Sequence, residues 1–246
     1  MDRAIVLTYH NIGRPPKGAR LPGLYVSPGA FHLQMRYLKA AGFTVVSLDG
    51  IVDFVNSQSH VNHPRRPVAL TFDDGFQDFN DNAWPVLKAL GFPVTVFVVT
   101  GRVGGENLWD CEYLNVRKKL LDWDAISRLK DEGVSFASHT MTHPSLTSLA
   151  GEALRGEIFG SKAALEEKSG MGVDYFCYPY GDYNEESAEM VKAAGYKAAF
   201  TTRKGCVFKG DNPYELNRIS IKSTTGPLAF AYKLHLYKGT SARRPK

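Results

Sequence analysis

The chain has 246 residues, 43% of them apolar, enough side chains for a full core in one large domain or two small ones. Its 23 glycines and 13 prolines are near average usage and exclude collagen-like or low-complexity chains, and the 22% of charged residues, mixed in sign, argues against disorder. Three cysteines cannot build a disulfide framework, and no apolar run is long enough to cross a bilayer. The net charge is +5, much of it in the tail Arg243-Arg244-Pro245-Lys246 and in Arg117-Lys118-Lys119, with no basic stripe interleaved with aromatics. Nucleic acid is therefore not an expected partner. The start, MDRAIVLTYHNIG, reads as a strand and a turn rather than a secretory segment. The expectation is a soluble cytoplasmic protein, or a periplasmic or extracellular one if a leader has been removed; composition leaves the oligomeric state open.

Residues 4–9 (AIVLTY) read as a buried strand. A helix follows at 30–41, with Phe31, Met35 and Leu38 on one stripe and Gly42 at its end. FTVVSL at 43–48 reads as a strand, and 49–57 as a short helix with Asp49 as N-cap. His60 to Pro67 is a polar loop. The alternation continues with strand 67–72, helix 79–90, strand 93–99, a long irregular stretch at 101–115, helix 123–132, strand 134–138, helix 150–168, strand 173–177, helix 184–194, strands 197–202 and 216–221, and helix 227–238. Seven or eight strands alternating with helices indicate a parallel α/β fold, an open doubly wound sheet or a barrel, in one domain spanning 1–246. No glycine-rich phosphate loop follows the first strand, which weakens a nucleotide reading. In a barrel, functional groups belong at the carboxyl ends of the strands.

Four strand ends carry polar residues of interest: Tyr9-His10, Asp73-Asp74-Gly75, the run from His139 to His143, and Cys177 to Asp182. Asp-Asp-Gly has a plain reading as a turn that leaves a strand. Adjacent buried carboxylates, however, raise one another's pKa unless a positive group intervenes, and a divalent cation is one such group. His139 and His143, four apart, have the spacing of many zinc ligand pairs, though such pairs also arise by chance. Together, one aspartate and two histidines make a three-ligand set with an open fourth position, and the second aspartate is free to act on water.

The motifs TFDDGF (71–76) and SHTMTHPSL (138–146) resemble the first two signature motifs of the polysaccharide deacetylases, carbohydrate esterase family 4, and YPYG (178–181) resembles the third. Leu121-Asp122-Trp123, followed by a helix and GVSFASHT, is also similar, and the likeness runs from Tyr9 to about Ile221. The resemblance implies a distorted (β/α) barrel of about seven parallel strands that removes N-acetyl groups from amino-sugar polymers or oligomers. It implies Asp73 as general base, a divalent metal on Asp74, His139 and His143 (commonly Zn2+, with Co2+, Ni2+ or Fe2+ as alternatives), and the Tyr180 backbone N–H as an oxyanion donor.

Two positions depart from the family pattern. Cys177 stands where an arginine usually orients the base, and the late strand Asn217-Arg218-Ile219-Ser220-Ile221 lacks the usual acid histidine. His235, in a helical stretch, is a poor substitute. The poly-N-acetylglucosamine deacetylase branch, which carries its acid histidine just after the first strand, is similar here: His10 matches that position, and Arg218 is the candidate replacement partner for Asp73. A carboxylate beside His10 is expected to raise its pKa. Cys177 reads as a small buried residue, Trp84 and Trp123 as core, Trp109 as a substrate-loop residue, and Asp182 and Tyr183 as cleft residues. The rival functions are an O-acetyl esterase, a non-sugar amidase, or an inactive carbohydrate-binding domain.

Overall fold

The computed structural model describes residues 3–57 and 64–237. Seven parallel strands close on themselves: β1 (Arg3–Tyr9), β2 (Pro67–Phe72), β3 (Thr95–Val98), β4 (Ser135–Ser138), β5 (Tyr175–Cys177), β6 (Ala198–Lys204) and β7 (Leu216–Ser220). Closure is made by β1, which pairs with β2 from Ile5↔Val68 to Tyr9↔Phe72 and with β7 at Leu7↔Ile219 and Thr8↔Ser220. The main helices are α1 (Pro28–Ala40), α2 (Leu48–Asn56), α3 (Trp84–Leu90), α4 (Trp123–Asp131), α5 (Ser161–Ser169), α6 (Glu185–Ala193) and α7 (Pro227–His235). None is long and apolar enough to cross a membrane.

The strands are buried on both faces, so they read as continuous apolar runs, but side-chain parity still sorts them. Ile5, Leu7 and Tyr9 of β1, with Val68, Leu70 and Phe72 of β2, join the cluster that includes Phe31, Met35 and Leu38 of α1. The alternate residues Ala4, Val6, Ala69, Phe97, Ala137, Cys177, Ala198, Phe200 and Leu216 form a second cluster, the barrel interior. Five apolar residues of α2, Leu48, Ile51, Val52, Phe54 and Val55, join that interior cluster. The interior parity leads to His10, Asp73 and His139 just past the ends of β1, β2 and β4, and to Arg218 within β7.

Several sequence expectations change. FTVVSL keeps only Thr44–Val45 as strand, pairing with β2 at its first two residues. Ser47, not Asp49, caps α2: its Oγ accepts from the Gly50 N–H at 3.3 Å, and Asp49 lies in the first helical turn. A seryl oxygen one residue before Leu48 reaches the free amide, and the helix starts earlier. Helices expected at 79–90 and 150–168 each contain a wider turn, Phe79–Ala83 and Gly156–Gly160. The stretch 101–115 holds a short helix, Cys111–Leu114. Val207–Phe208 adds an antiparallel strand to β1 that the alternation did not suggest. Of the expected loop His60–Pro67, residues 60–63 lie outside the described residues and Pro67 opens β2; residue 238 of the last expected helix also lies outside.

The first strand and the last described helix meet at Arg3. Its guanidinium donates to the carbonyls of Leu234 (3.1 Å), His235 (2.6 Å) and Tyr237 (2.8 Å), the free acceptors at the end of α7. Arg3→Ala is expected to lower unfolding free energy by about 1–3 kcal/mol, and Arg3→Lys to recover only part, because an ammonium cannot span three carbonyls. Urea unfolding midpoints check this; a wild-type midpoint for Arg3→Ala would refute the clasp.

Candidate active site and metal centre

Arg218 is fully buried on β7, which only β1 separates from β2. Its Nη1 and Nη2 each donate to one oxygen of Asp73 at 2.7 Å, a bidentate pair. Nε donates to the Thr201 carbonyl at 2.9 Å, Nη1 also to Thr8 Oγ1 at 2.9 Å, and Nη2 to Cys177 Sγ at 3.0 Å. A register irregularity between Leu216 and Arg218 accompanies this placement. Burial alone would raise the Asp73 pKa; the charge and two hydrogen bonds of Arg218 outweigh it and hold the carboxyl well below its ordinary range. The Cys177 thiol, buried and facing carboxylates, is pushed up and stays protonated. Arg218 is thus the partner of Asp73, and Cys177 leaves it room.

Asp74 follows with φ of 72°. Its Oδ1 is 3.6 Å from His139 Nε2 and 3.5 Å from His143 Nε2, and all three side chains are buried. His139 Nδ1 is 2.7 Å from the Cys177 carbonyl, an acceptor only, so this nitrogen carries the proton and the Nε2 lone pair faces Asp74. His143 Nδ1 has no hydrogen-bond partner among the described residues. Burial lowers the pKa of both histidines, His139 to about 4, keeping them neutral, and burial with the nearby Asp73 raises that of Asp74. Ligand atoms about 2.0–2.2 Å from one tetrahedral ion lie roughly 3.3–3.6 Å apart, so the donor set fits a small divalent cation. Lys118, the nearby amine, is already committed to Asp78 and Asn11.

The ligand loop is backbone-strained. Thr140 and His143 have φ of 69° and 68°, and Tyr180, opposite, has 59°; with Asp74 they are four of the six described non-glycine residues at positive φ. Gly181 beside Tyr180 is required: a Cβ there would sit 2.1 Å from Thr202 Oγ1, at φ of +78°.

His10 is partly exposed, with Nε2 4.0 Å from Asp73 Oδ2, on the cleft side of the carboxylate. The expected rise in its pKa is not found: burial lowers it, Asp73 raises it by less, and Arg218 and Lys222 lower it further. His10, Asp73, Asp74 and Tyr180 line one cleft of about 210 Å³, walled also by Leu21 and Tyr113. Trp109 stacks on His143 at 4.9 Å, and the Tyr180 ring meets the same imidazole edge-on at 4.8 Å.

Asp182 and Tyr183 do not line this cleft: Asp182 is exposed and accepts from Ser145 Oγ, and Tyr183 stacks on Tyr178 and donates to Glu215. Trp84 and Trp123 pack on the core, and His235 lies on α7 against Tyr37 and Phe43. Sequence reasoning missed Leu21, Leu24 and Asp110 as cleft residues; Leu21 and Asp110 sit on loops and Leu24 on the single turn Pro22–Leu24, none with a periodic signal.

Replacing Arg218 by Met leaves Asp73 buried and unpaired, so a loss of about 3–5 kcal/mol in stability is expected. Asp73→Asn in that background is expected to recover part of it. Denaturation of the three variants checks this, and additivity of the two changes would refute the pairing.

The polysaccharide deacetylase family model matches residues 60–199. The poly-beta-1,6-N-acetyl-D-glucosamine N-deacetylase of Staphylococcus aureus is 25% identical over 233 residues, 89% of this chain and 79% of that protein. The Bacillus subtilis protein YxkH is 28% identical over 163 residues, 66% of this chain, and the match spans only 54% of that protein. Among solved structures, a Streptococcus pyogenes deacetylase in complex with acetate superposes with a TM-score of 0.81 at 26% identity, covering 95% of this chain and 98% of that one. The matched region carries the aspartate pair, both histidines and Tyr180 on a closed parallel barrel, and the chain belongs to the polysaccharide deacetylase family.

Proposed function

We propose that this protein is a metal-dependent N-deacetylase that hydrolyses acetamido groups on an amino-sugar polymer or oligomer, releasing acetate. The observation that carries the reading is one juxtaposition: an Arg218-fixed carboxylate stands beside three buried ligand atoms, with His10 across the same cleft. The named activity of the Staphylococcus aureus relative supports the N-acetyl substrate, and the acetate in the Streptococcus pyogenes structure supports the leaving acid.

Asp74, His139 and His143 would hold the cation, Zn2+ by ligand type, with Co2+, Ni2+ or Fe2+ as alternatives. A divalent cation there supplies Lewis acidity, bringing water into the range that a carboxylate as weakly basic as Asp73 can deprotonate. Arg218 keeps Asp73 ionised and pointed at the cleft, so it takes the proton of the attacking water as general base. The Tyr180 backbone N–H, presented by its strained turn, stabilises the oxyanion that forms on the acetamide oxygen. His10 delivers a proton to the departing nitrogen, since an amide anion is too basic to leave. The proton that Asp73 takes from water passes to His10, whose Nε2 stands 4.0 Å away in the same cleft, before His10 gives it to the nitrogen, so water and amide become acetic acid and amine, which part as acetate and ammonium with no net change in protons.

Acetate release from β-1,6- and β-1,4-linked N-acetylglucosamine oligomers tests the reading. Chelation is expected to abolish release and one equivalent of Zn2+ or Co2+ to restore it. Asp73→Asn is expected to cut turnover by about 10²–10⁴-fold while metal content stays at one per chain, and Asp74→Asn to lose both. Metal loss in Asp73→Asn would make that residue a ligand instead.

His10→Ala is expected to slow amide hydrolysis by about 10²-fold or more and to slow an aryl acetate far less, because a phenolate leaves without a proton. Equal loss on both substrates would remove His10 as the acid.

A further inference from the structure

The two histidines of the candidate metal centre are joined by Thr140, Met141 and Thr142, and this connection is held from both sides. On one side, the Thr100 and Gly101 N–H groups donate to the carbonyls of Thr140 (3.0 Å) and Met141 (2.9 Å). The approach is close: a Cβ on Gly101 would sit 2.7 Å from the Met141 oxygen. On the other side stands one carboxylate. Glu157 Oε2 accepts from the Met141 and Thr142 N–H groups at 2.9 Å each, and Oε1 accepts from Thr142 Oγ1 at 2.6 Å. His143 N–H is held by Thr140 Oγ1 at 2.9 Å. Of these partners, Glu157 alone is a distant side chain.

Glu157 belongs to the widened turn Gly156–Gly160, which interrupts the helix between Gly151–Arg155 and α5. Such turns shift the register of the residues they carry, and they recur at functional sites. The strain to be held is local, since Thr140 and His143 both adopt positive φ. That backbone turns His143 Nε2 to within 3.5 Å of Asp74, while β4 already fixes His139.

We propose that Glu157 is a positioning residue for the metal centre: it binds the amides between the two histidines and thereby holds His143 in ligand geometry. The inference rests on the metal-centre reading above. Thr142 is exposed, so water can serve the freed amides when Glu157 is replaced; what is lost is alignment rather than the fold.

The test uses the full chain, stripped of metal and titrated with Zn2+ against a chromophoric chelator, with Co2+ absorption as a second readout. Glu157→Met keeps length but removes both acceptor oxygens from the two N–H groups and the hydroxyl. It is expected to weaken Zn2+ binding by about 10–100-fold and to shift and weaken the Co2+ d–d bands, with the metal-free melting temperature close to wild type. Thr142→Val, which removes only the hydroxyl donor, is expected to move both readouts less and in the same direction, and it serves if Glu157→Met does not fold. Wild-type affinity and unshifted bands in the variants that fold would overturn the proposal. His143→Ala is the control: if it too binds Zn2+ like wild type, the metal centre itself is misassigned, a failure distinct from that of Glu157 alone.

Discussion

The site is organised around the pairing of Arg218 with Asp73 inside the barrel. Removing two such charges from water costs several kcal/mol each, and attraction offsets this only when the geometry is good and the remaining donors are satisfied. Both conditions hold. The guanidinium fork meets both carboxylate oxygens at 2.7 Å, and its other N–H groups reach the Thr201 carbonyl, Thr8, Thr71 and Cys177. The composition of the surrounding layer follows. Residues 8 and 71 must offer oxygen acceptors, and residue 177 must be small, weakly accepting and uncharged. A lysine at 218 could not span the same partners.

The closed parallel barrel makes that pairing possible. Strand parity alternates an interior set with a helix-facing set, and small residues in the interior, Ala4, Ala69, Ala137 and Ala198, leave volume that Phe97, Phe200 and the Arg218 side chain fill. Because the strands are parallel, all carboxyl ends lie at one mouth, and residues from distant parts of the chain meet there. His10 and Arg218 are separated by most of the sequence, yet both stand beside Asp73 because β1 pairs directly with β7.

This explains what could be read in advance. Strands such as AIVLTY and PVALTF declare themselves by β-branched apolar runs, and the polar residues directly after them are candidates on chemistry alone. The aspartate pair and the His139–His143 spacing belong to this class, as does His10. The choice of Asp73 over Asp74 as base did not follow from spacing; it came with the family resemblance. Arg218 was a candidate only through a gap in the family pattern, since Cys177 stands where an arginine was expected. Glu157, Leu21 and Asp110 gave no signal, because their roles depend on a widened helical turn or on loop paths that no periodicity encodes. The direction of the His10 pKa shift runs against the expectation because a neighbouring carboxylate is visible in sequence and burial is not.

The aspartate pair shows how one local device separates two roles. In a regular strand, adjacent side chains point to opposite faces, so Asp73 and Asp74 could not both serve one cleft. The chain leaves the strand at Asp74 with φ of 72°, and Gly75 follows at 72°, where a Cβ would press on Val98 at 3.0 Å. This turn brings the second carboxylate back to the mouth, beyond hydrogen-bond reach of Arg218. Asp73 and Arg218 then cancel as a pair, and His139 and His143 stay neutral through burial. What remains is one buried carboxylate facing two imidazole lone pairs, while Lys118 is held by Asp78. Such a surplus of negative charge and lone pairs is costly in a protein interior and is balanced best by a cation at the point where the three donors converge.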